Sequence, residues 1–186
     1  DLSFSADTLE LVVVHGYPAS GLSANMQGKI ENILSSVPVV VAATPMADLN
    51  SLASEYNLNL PMSGYFRNSL NSVEIIADLE PTEHPIMELP EIAMNVLPSV
   101  TAPIQNSSLA AGATTLFISG FQGRDTGQPL IAVSEIGNRR ISQVNGYGWY
   151  RLMQSPNELV RDYVQNLFAN IVSWTATRPD NRRLKI

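Results

Sequence analysis

Two short stretches near the start of the chain are apolar at nearly every position. Leu9-Glu-Leu-Val-Val-Val14 is a β-branched run ended by His15-Gly16-Tyr17-Pro18, and Val39-Val-Val-Ala-Ala43 follows Pro38. β-branched residues favour pleated backbone, and runs without alternation are expected of strands covered by helices on both faces. Between them Leu22, Met26, Ile30, Ile33 and Leu34 recur at helical spacing, with Ser20 or Ser23 available as N-cap. Thr44-Pro45 opens a second helical stretch through Leu49, Leu52, Ala53 and Tyr56. Strand–helix–strand–helix order predicts a right-handed parallel unit.

The middle of the chain is less regular. Residues 72–79 alternate as Val73, Ile75, Ala77 and Leu79, which reads as an antiparallel or edge strand. Pro81, Pro85, Pro90, Pro98 and Pro103 then interrupt the backbone, so an ordered loop with brief helical or strand pieces is expected there. Residues 114–119 read as a strand. Pro129-Leu-Ile-Ala-Val-Ser134 and Arg140-Ile-Ser-Gln-Val-Asn145 read as a hairpin joined through Gly137-Asn138. Ser155-Pro156-Asn157-Glu158 reads as a capping box with proline at the first helical position. Leu159, Val160, Tyr163, Val164, Leu167, Phe168, Ile171 and Val172 continue as a wide apolar stripe, a core face. The expected fold is α/β: a doubly wound, mostly parallel, flavodoxin-like sheet with helices on both faces and an antiparallel edge hairpin. No repeat or long linker divides the chain, so residues 1–186 are read as one domain.

Composition narrows the function. Apolar residues make up 45% of the 186 and charged residues 15%, enough apolar side chain for a real core. A net charge of -6 argues against nucleic-acid binding, which needs clustered cations. The cations Arg178, Arg182, Arg183 and Lys185 gather in what reads as a solvated tail. No apolar stretch approaches the roughly 20 residues that cross a bilayer, and no signal peptide is present. The chain starts at Asp1 and stops at Ile186 just past a helix and a basic turn, which reads as a piece of a larger protein. There is no cysteine, hence no disulfide, although that alone does not identify a compartment.

The layout resembles the class I glutamine amidotransferases, which work through a thiolate on the tight turn after a central strand. The matching turn here carries Ala43, Thr44 and Pro45, so the resemblance implies the fold without that chemistry. Four pieces sharpen it: the strand ending Gly16-Tyr17-Pro18; His84-Pro85 with Leu89-Pro90 and Leu97-Pro98; Asn145-Gly146-Tyr147-Gly148-Trp149 with Arg151; and Trp174 followed by Thr177-Arg178-Pro179-Asp180-Asn181-Arg182-Arg183. Together they resemble the amidotransferase-like domain of large bacterial membrane proteins with a double N-terminal transmembrane segment and often a von Willebrand factor A domain. That resemblance implies an extracytoplasmic (periplasmic) domain, attached to the membrane only through an anchor outside this chain, with no established reaction. Such domains often carry tryptophans on both sides of the basic residue after the glycine turn. This chain has Trp149-Tyr150-Arg151-Leu152.

Several residues are candidates for chemistry. His15 and Tyr17 sit at the end of a predicted parallel strand, where open α/β sheets place ligands, and the helix start after Ser20 offers free N–H groups to an anion. The plainer reading, a strand-to-helix turn with His15 packed, is preferred. No P-loop is present, since Gly28-Lys29 falls inside the helix. Glu83-His84 invites an acid/base reading, with a structural loop histidine as the preferred alternative. A hydrolase would need Ser20, Thr44 or Ser119 activated by His15 or His84, but no Gly-x-Ser-x-Gly elbow occurs. Two distant histidines and no thiols offer no metal-ligand spacing, so neither metal nor cofactor is expected. Gly146-Tyr147-Gly148-Trp149-Tyr150-Arg151 combines glycines, aromatics and a cation, the chemistry of a recognition patch, against a preferred reading with Trp149 in the core.

The expectation is a non-catalytic domain that binds a protein partner, other domains of its own polypeptide, or a small ligand. Its binding surface would draw on His15, Tyr17, Ser20, Thr44, His84, Tyr147, Trp149 and Arg151. A Ser/Thr–His hydrolase and a purely structural spacer are the alternatives.

Overall fold

A computed structural model describes residues 8–16, 24–56, 58–65 and 67–179. Nine strands and four α-helices are assigned within it. In chain order they are β1 (Val12–His15), α1 (Ala24–Ser36), β2 (Val39–Ala42), α2 (Leu49–Glu55), β3 (Met62–Ser63), β4 (Leu70–Ala77), β5 (Val100–Pro103), β6 (Ser108–Leu109), β7 (Thr114–Phe121), β8 (Arg124–Ile136), β9 (Arg139–Val144), α3 (Trp149–Met153) and α4 (Glu158–Ala176). Seven strands form one sheet in the order β1-β2-β9-β8-β7-β4-β5, while β3 and β6 pair separately.

The sheet corrects the expected fold class. Only β1–β2 and β2–β9 pair in parallel. The pairs β9–β8, β8–β7, β7–β4 and β4–β5 are antiparallel. The architecture is therefore a mixed, mostly antiparallel sheet with few helices, not a doubly wound flavodoxin-like one. The expectation failed because it took unbroken apolar runs as a mark of parallel pairing. Leu130, Ile131, Ala132 and Val133 of β8 form such a run, at most 2% exposed, inside the antiparallel half. Burial on both faces writes that pattern whichever way the neighbours point. The hairpin through Gly137-Asn138 forms, but at the centre of the sheet, not its edge.

Two further expectations change. Val13 of β1 is 58% exposed, so this strand is not enclosed on both faces. The final helix is capped by Asn157, whose side chain accepts from Leu159 N, and not by Ser155. Ser155 Oγ instead accepts from Asn157 N at 3.2 Å, so it shapes the approach to the helix. Most of the polar stretch from Gly123 to Gly127 belongs to β8. Gln122 and Gly123, both with positive φ, make the tight turn, and β8 starts at Arg124. Pro129 is tolerated inside β8 because the β7–β8 register shifts beside it, at Ile118.

Alternation along β2 divides the core. Val39 and Val41 pack with Leu34 of α1 and with Leu49 and Leu52 of α2. Val40 joins the larger cluster holding Val133, Val144 and the α4 residues Val160, Val164, Leu167 and Ile171. The parallel end is thus a three-layer stack, with α1 and α2 on one face and α4 on the other. Each fully buried aliphatic side chain contributes about 1.5–3 kcal/mol. Polar ties cross the layers: Ser142 Oγ and Thr175 Oγ1 lie 2.6 Å apart between β9 and α4, and Arg139 Nη1 donates to Leu34 O at the end of α1.

Candidate binding cleft

The turn after β2 is where the amidotransferase resemblance places its chemistry. Ala43 N donates to Val144 O at 2.8 Å and carries the chain past the sheet. Thr44 then turns on local bonds: its Oγ1 accepts from Met46 N at 3.3 Å, and its carbonyl accepts from Tyr65 Oη at 2.9 Å. Nucleophile elbows hold the reactive residue on a strained turn. Here Thr44 is not in the left-handed region, which among described non-glycine residues only Asn106 and Gln122 occupy. Gly16, at φ 68°, lies beside Thr44, and a Cβ there would sit 3.4 Å from its Oγ1. His15 is exposed at the end of β1. Tyr17 and Ser20 lie outside the described residues.

His84 is committed to structure elsewhere. It caps the single turn Pro85–Met87, its Nδ1 accepting from Ile86 N at 3.2 Å. Its ring packs 4.9 Å from that of Trp174. The Arg140 guanidinium stacks 4.5 Å from the Trp174 ring, donates to Trp174 O at 3.1 Å, and pairs with Glu135 at 2.8 Å. Burial, helped by Arg140 and opposed by Glu135, pulls the His84 pKa below its ordinary 6.5. Because Val39 pairs with Ile141, Arg140 is level with Pro38, six residues before Thr44. At about 3.3 Å per residue the two clusters stand roughly 20 Å apart, at opposite ends of the strands. Thr44 and His84 do not meet. Ser119 is 0% exposed and its hydroxyl is sealed in β7 with no partner among the described residues.

The glycine-aromatic segment divides between core and surface. Trp149 is buried, its ring 5.6 Å from Phe168 in an edge contact, so it is not part of a binding surface. Gly146 allows that approach, since a Cβ there would lie 2.9 Å from the indole nitrogen. Tyr147 bonds Thr101 through both backbone groups and closes the outer edge of β5. Its ring sits 5.9 Å from that of Tyr150. Tyr147, the exposed Tyr150 and the exposed Arg151 are what this segment shows to solvent.

A separate opening lies elsewhere. A cleft of about 700 Å³ runs between the end of β4, the proline-rich segment after it, and α4. Met87, Leu89, Ile92 and Met94 give it apolar walls, and Asp78, Glu80, Glu83 and Glu91 contribute carboxylates. Glu83 therefore turns away from His84; its Oε2 accepts from Glu80 N at 2.6 Å. Tyr163 of α4 also lines the cleft, although only 3% of it is exposed. Its hydroxyl has no hydrogen-bond partner among the described residues. Burial pushes its pKa up to about 12, so it stays a neutral phenol. Among those residues no three His, Asp or Glu side chains converge as metal ligands.

Of the expected binding-surface residues that the structure describes, none lines this cleft; Glu83, weighed with His84 for acid/base chemistry, does. The available signal was a polar tip, Tyr163, inside an otherwise apolar stripe, together with four acids spaced through prolines. Neither is informative until the loop is folded over the helix.

No family model and no curated protein matches the sequence. Solved structures share the fold at low identity. The cytoplasmic protein STM1381 from Salmonella typhimurium LT2 aligns with a TM-score of 0.62 at 11% identity, over 92% of this chain and 75% of its own. The cytoplasmic protein STM3548 from Salmonella typhimurium gives 0.59 at 12% identity, over 94% and 76%. The mmIFT52 N-terminal domain gives 0.52 at 12% identity, over 94% and 81%. These likenesses concern the fold alone. Two of the three are named as cytoplasmic proteins, so the comparisons lend no support to the extracytoplasmic, membrane-anchored placement expected from the sequence. Among the described residues no helix is long and apolar enough to cross a membrane.

Proposed function

We propose that this chain is a non-catalytic ligand-binding domain whose ligand occupies the cleft beside α4. One observation carries the reading: a cleft of about 700 Å³ ends on Tyr163, a nearly buried phenol whose hydroxyl has no hydrogen-bond partner among the described residues. Ligand sites are typically concave, about 300–1,000 Å³, mostly apolar, with a few convergent polar groups. The hydroxyl is not sealed from solvent as those of Ser107, Ser119 and Ser134 are, so a polar ligand atom in the cleft can reach it. The turn that resembles an amidotransferase elbow has no thiol, and its threonine hydroxyl is not backed by His84.

A fragment screen by ligand-observed NMR tests this, run on the unaltered protein, on Ile92→Trp to fill the cleft, and on Thr44→Ala. Binders should be lost in Ile92→Trp and kept in Thr44→Ala. Binders that survive Ile92→Trp and vanish in Thr44→Ala would refute the proposal.

A further inference from the structure

We infer that the cleft selects a small organic cation, an ammonium group carried on an apolar body; this rests on the cleft being the binding site. Among the described residues its lining holds four carboxylates and no lysine, arginine or histidine. All four acids are exposed, so they ring the opening, whereas Met87 is buried and Leu89, Ile92 and Met94 are half-buried behind them. An occupant that satisfies both must be cationic at one end and apolar at the other.

Tyr163 adds an independent constraint at the buried end. Its unpartnered hydroxyl belongs to a residue 3% exposed that lines the cleft, and it remains protonated at any physiological pH. It can donate to or accept from a ligand polar atom, and its ring offers a face to a cation. A metal ion is the poorer fit, because among the described residues the acids do not converge in groups of three or more. The volume suits a small molecule better than a folded partner. The chain's net charge of -6 adds long-range attraction for cations.

Three probes of similar shape separate these contributions by calorimetry in dilute salt: tryptamine (cation), 3-methylindole (neutral) and indole-3-propionate (anion). Tryptamine should bind about 10-fold more tightly than 3-methylindole, the scale set by two partly exposed ion pairs. Indole-3-propionate should bind more weakly still. Glu83→Gln with Glu91→Gln should weaken tryptamine about 10-fold and leave 3-methylindole unchanged. Raising the salt to 0.5 M should act in the same direction. Tyr163→Phe should weaken tryptamine about 3-fold or more. If 3-methylindole or indole-3-propionate bound as well as tryptamine, and Ile92→Trp abolished both, the cation preference would be wrong and the cleft correct. If none of the three bound, both would be wrong. A lysine-containing tetrapeptide binding more tightly than tryptamine would overturn the small-molecule assignment.

Discussion

The two halves of the sheet bury their central strands equally well by different means. At the parallel end, β2 lies between α1 and α2 on one face and α4 on the other, and Val39, Val40 and Val41 are at most 3% exposed. In the antiparallel half, Leu130, Ile131 and Ala132 of β8 are at 0% with no parallel neighbour. An unbroken apolar run therefore reports enclosure, not strand direction. The halves differ more in what they leave open. The parallel end turns through Thr44 on local hydrogen bonds, whereas the antiparallel half, where β4 meets the proline-rich segment, leaves a cleft.

The strongest test of that comparison removes one side chain from each cluster. Leu52→Ala in the α2 cluster and Leu167→Ala in the α4 cluster should each cost about 3 kcal/mol, both residues being 0% exposed. Because β2 sends Val40 one way and Val39 and Val41 the other, both variants should still unfold in one transition by urea denaturation. A separate early transition in Leu52→Ala would mean the parallel end is an appendage. Arg139→Met is the next largest. Arg139 is 8% exposed and bonds the Leu34 carbonyl at the end of α1, so losing this charged hydrogen bond should cost about 2 kcal/mol. A change below about 0.5 kcal/mol would show that the tie contributes little.

Tyr163→Phe should separate stability from binding. Its hydroxyl has no partner among the described residues, so stability should move by less than about 0.5 kcal/mol, in either direction, while cleft binding falls. The smallest effect concerns pH. The folded state lowers the His84 pKa below 6.5, so between the folded value and 6.5 the unfolded chain binds more protons. Stability from this group is complete above pH 6.5 and is lost as pH falls through the folded pKa. His84→Gln should remove that slope from the denaturation midpoint measured against pH, and an unchanged slope would assign it to other groups.

Much of the element order was legible in the residues. The β-branched run 39–41, the alternation of Val73 and Ile75, the Gly137-Asn138 turn and the stripe of α4 are local patterns, and each element formed. Strand direction was legible where the link is local, in the parallel β1–α1–β2 unit and the β8–β9 hairpin, but not across the sheet, because the second partner of β2 is β9, about a hundred residues further on. Nothing local to Val39 or Ile141 encodes that pairing. The helix start was misread because Pro156 at the first helical position and Asn157 as cap are both acceptable local chemistry, and the bond from Leu159 N to Asn157 decides between them. The candidate site was the least legible part. Tyr163 fits the apolar stripe by spacing, and only the fold shows its hydroxyl unpartnered beside the acids of a loop some 80 residues earlier in the chain.

The most direct measurement is a residue-resolved map of ¹H–¹⁵N chemical-shift changes on titrating any small molecule found to bind. The account predicts that the shifts concentrate at residues 77–94 and on the turn of α4 around Tyr163. Shifts concentrated instead at His15, Gly16 and Thr44 would contradict it.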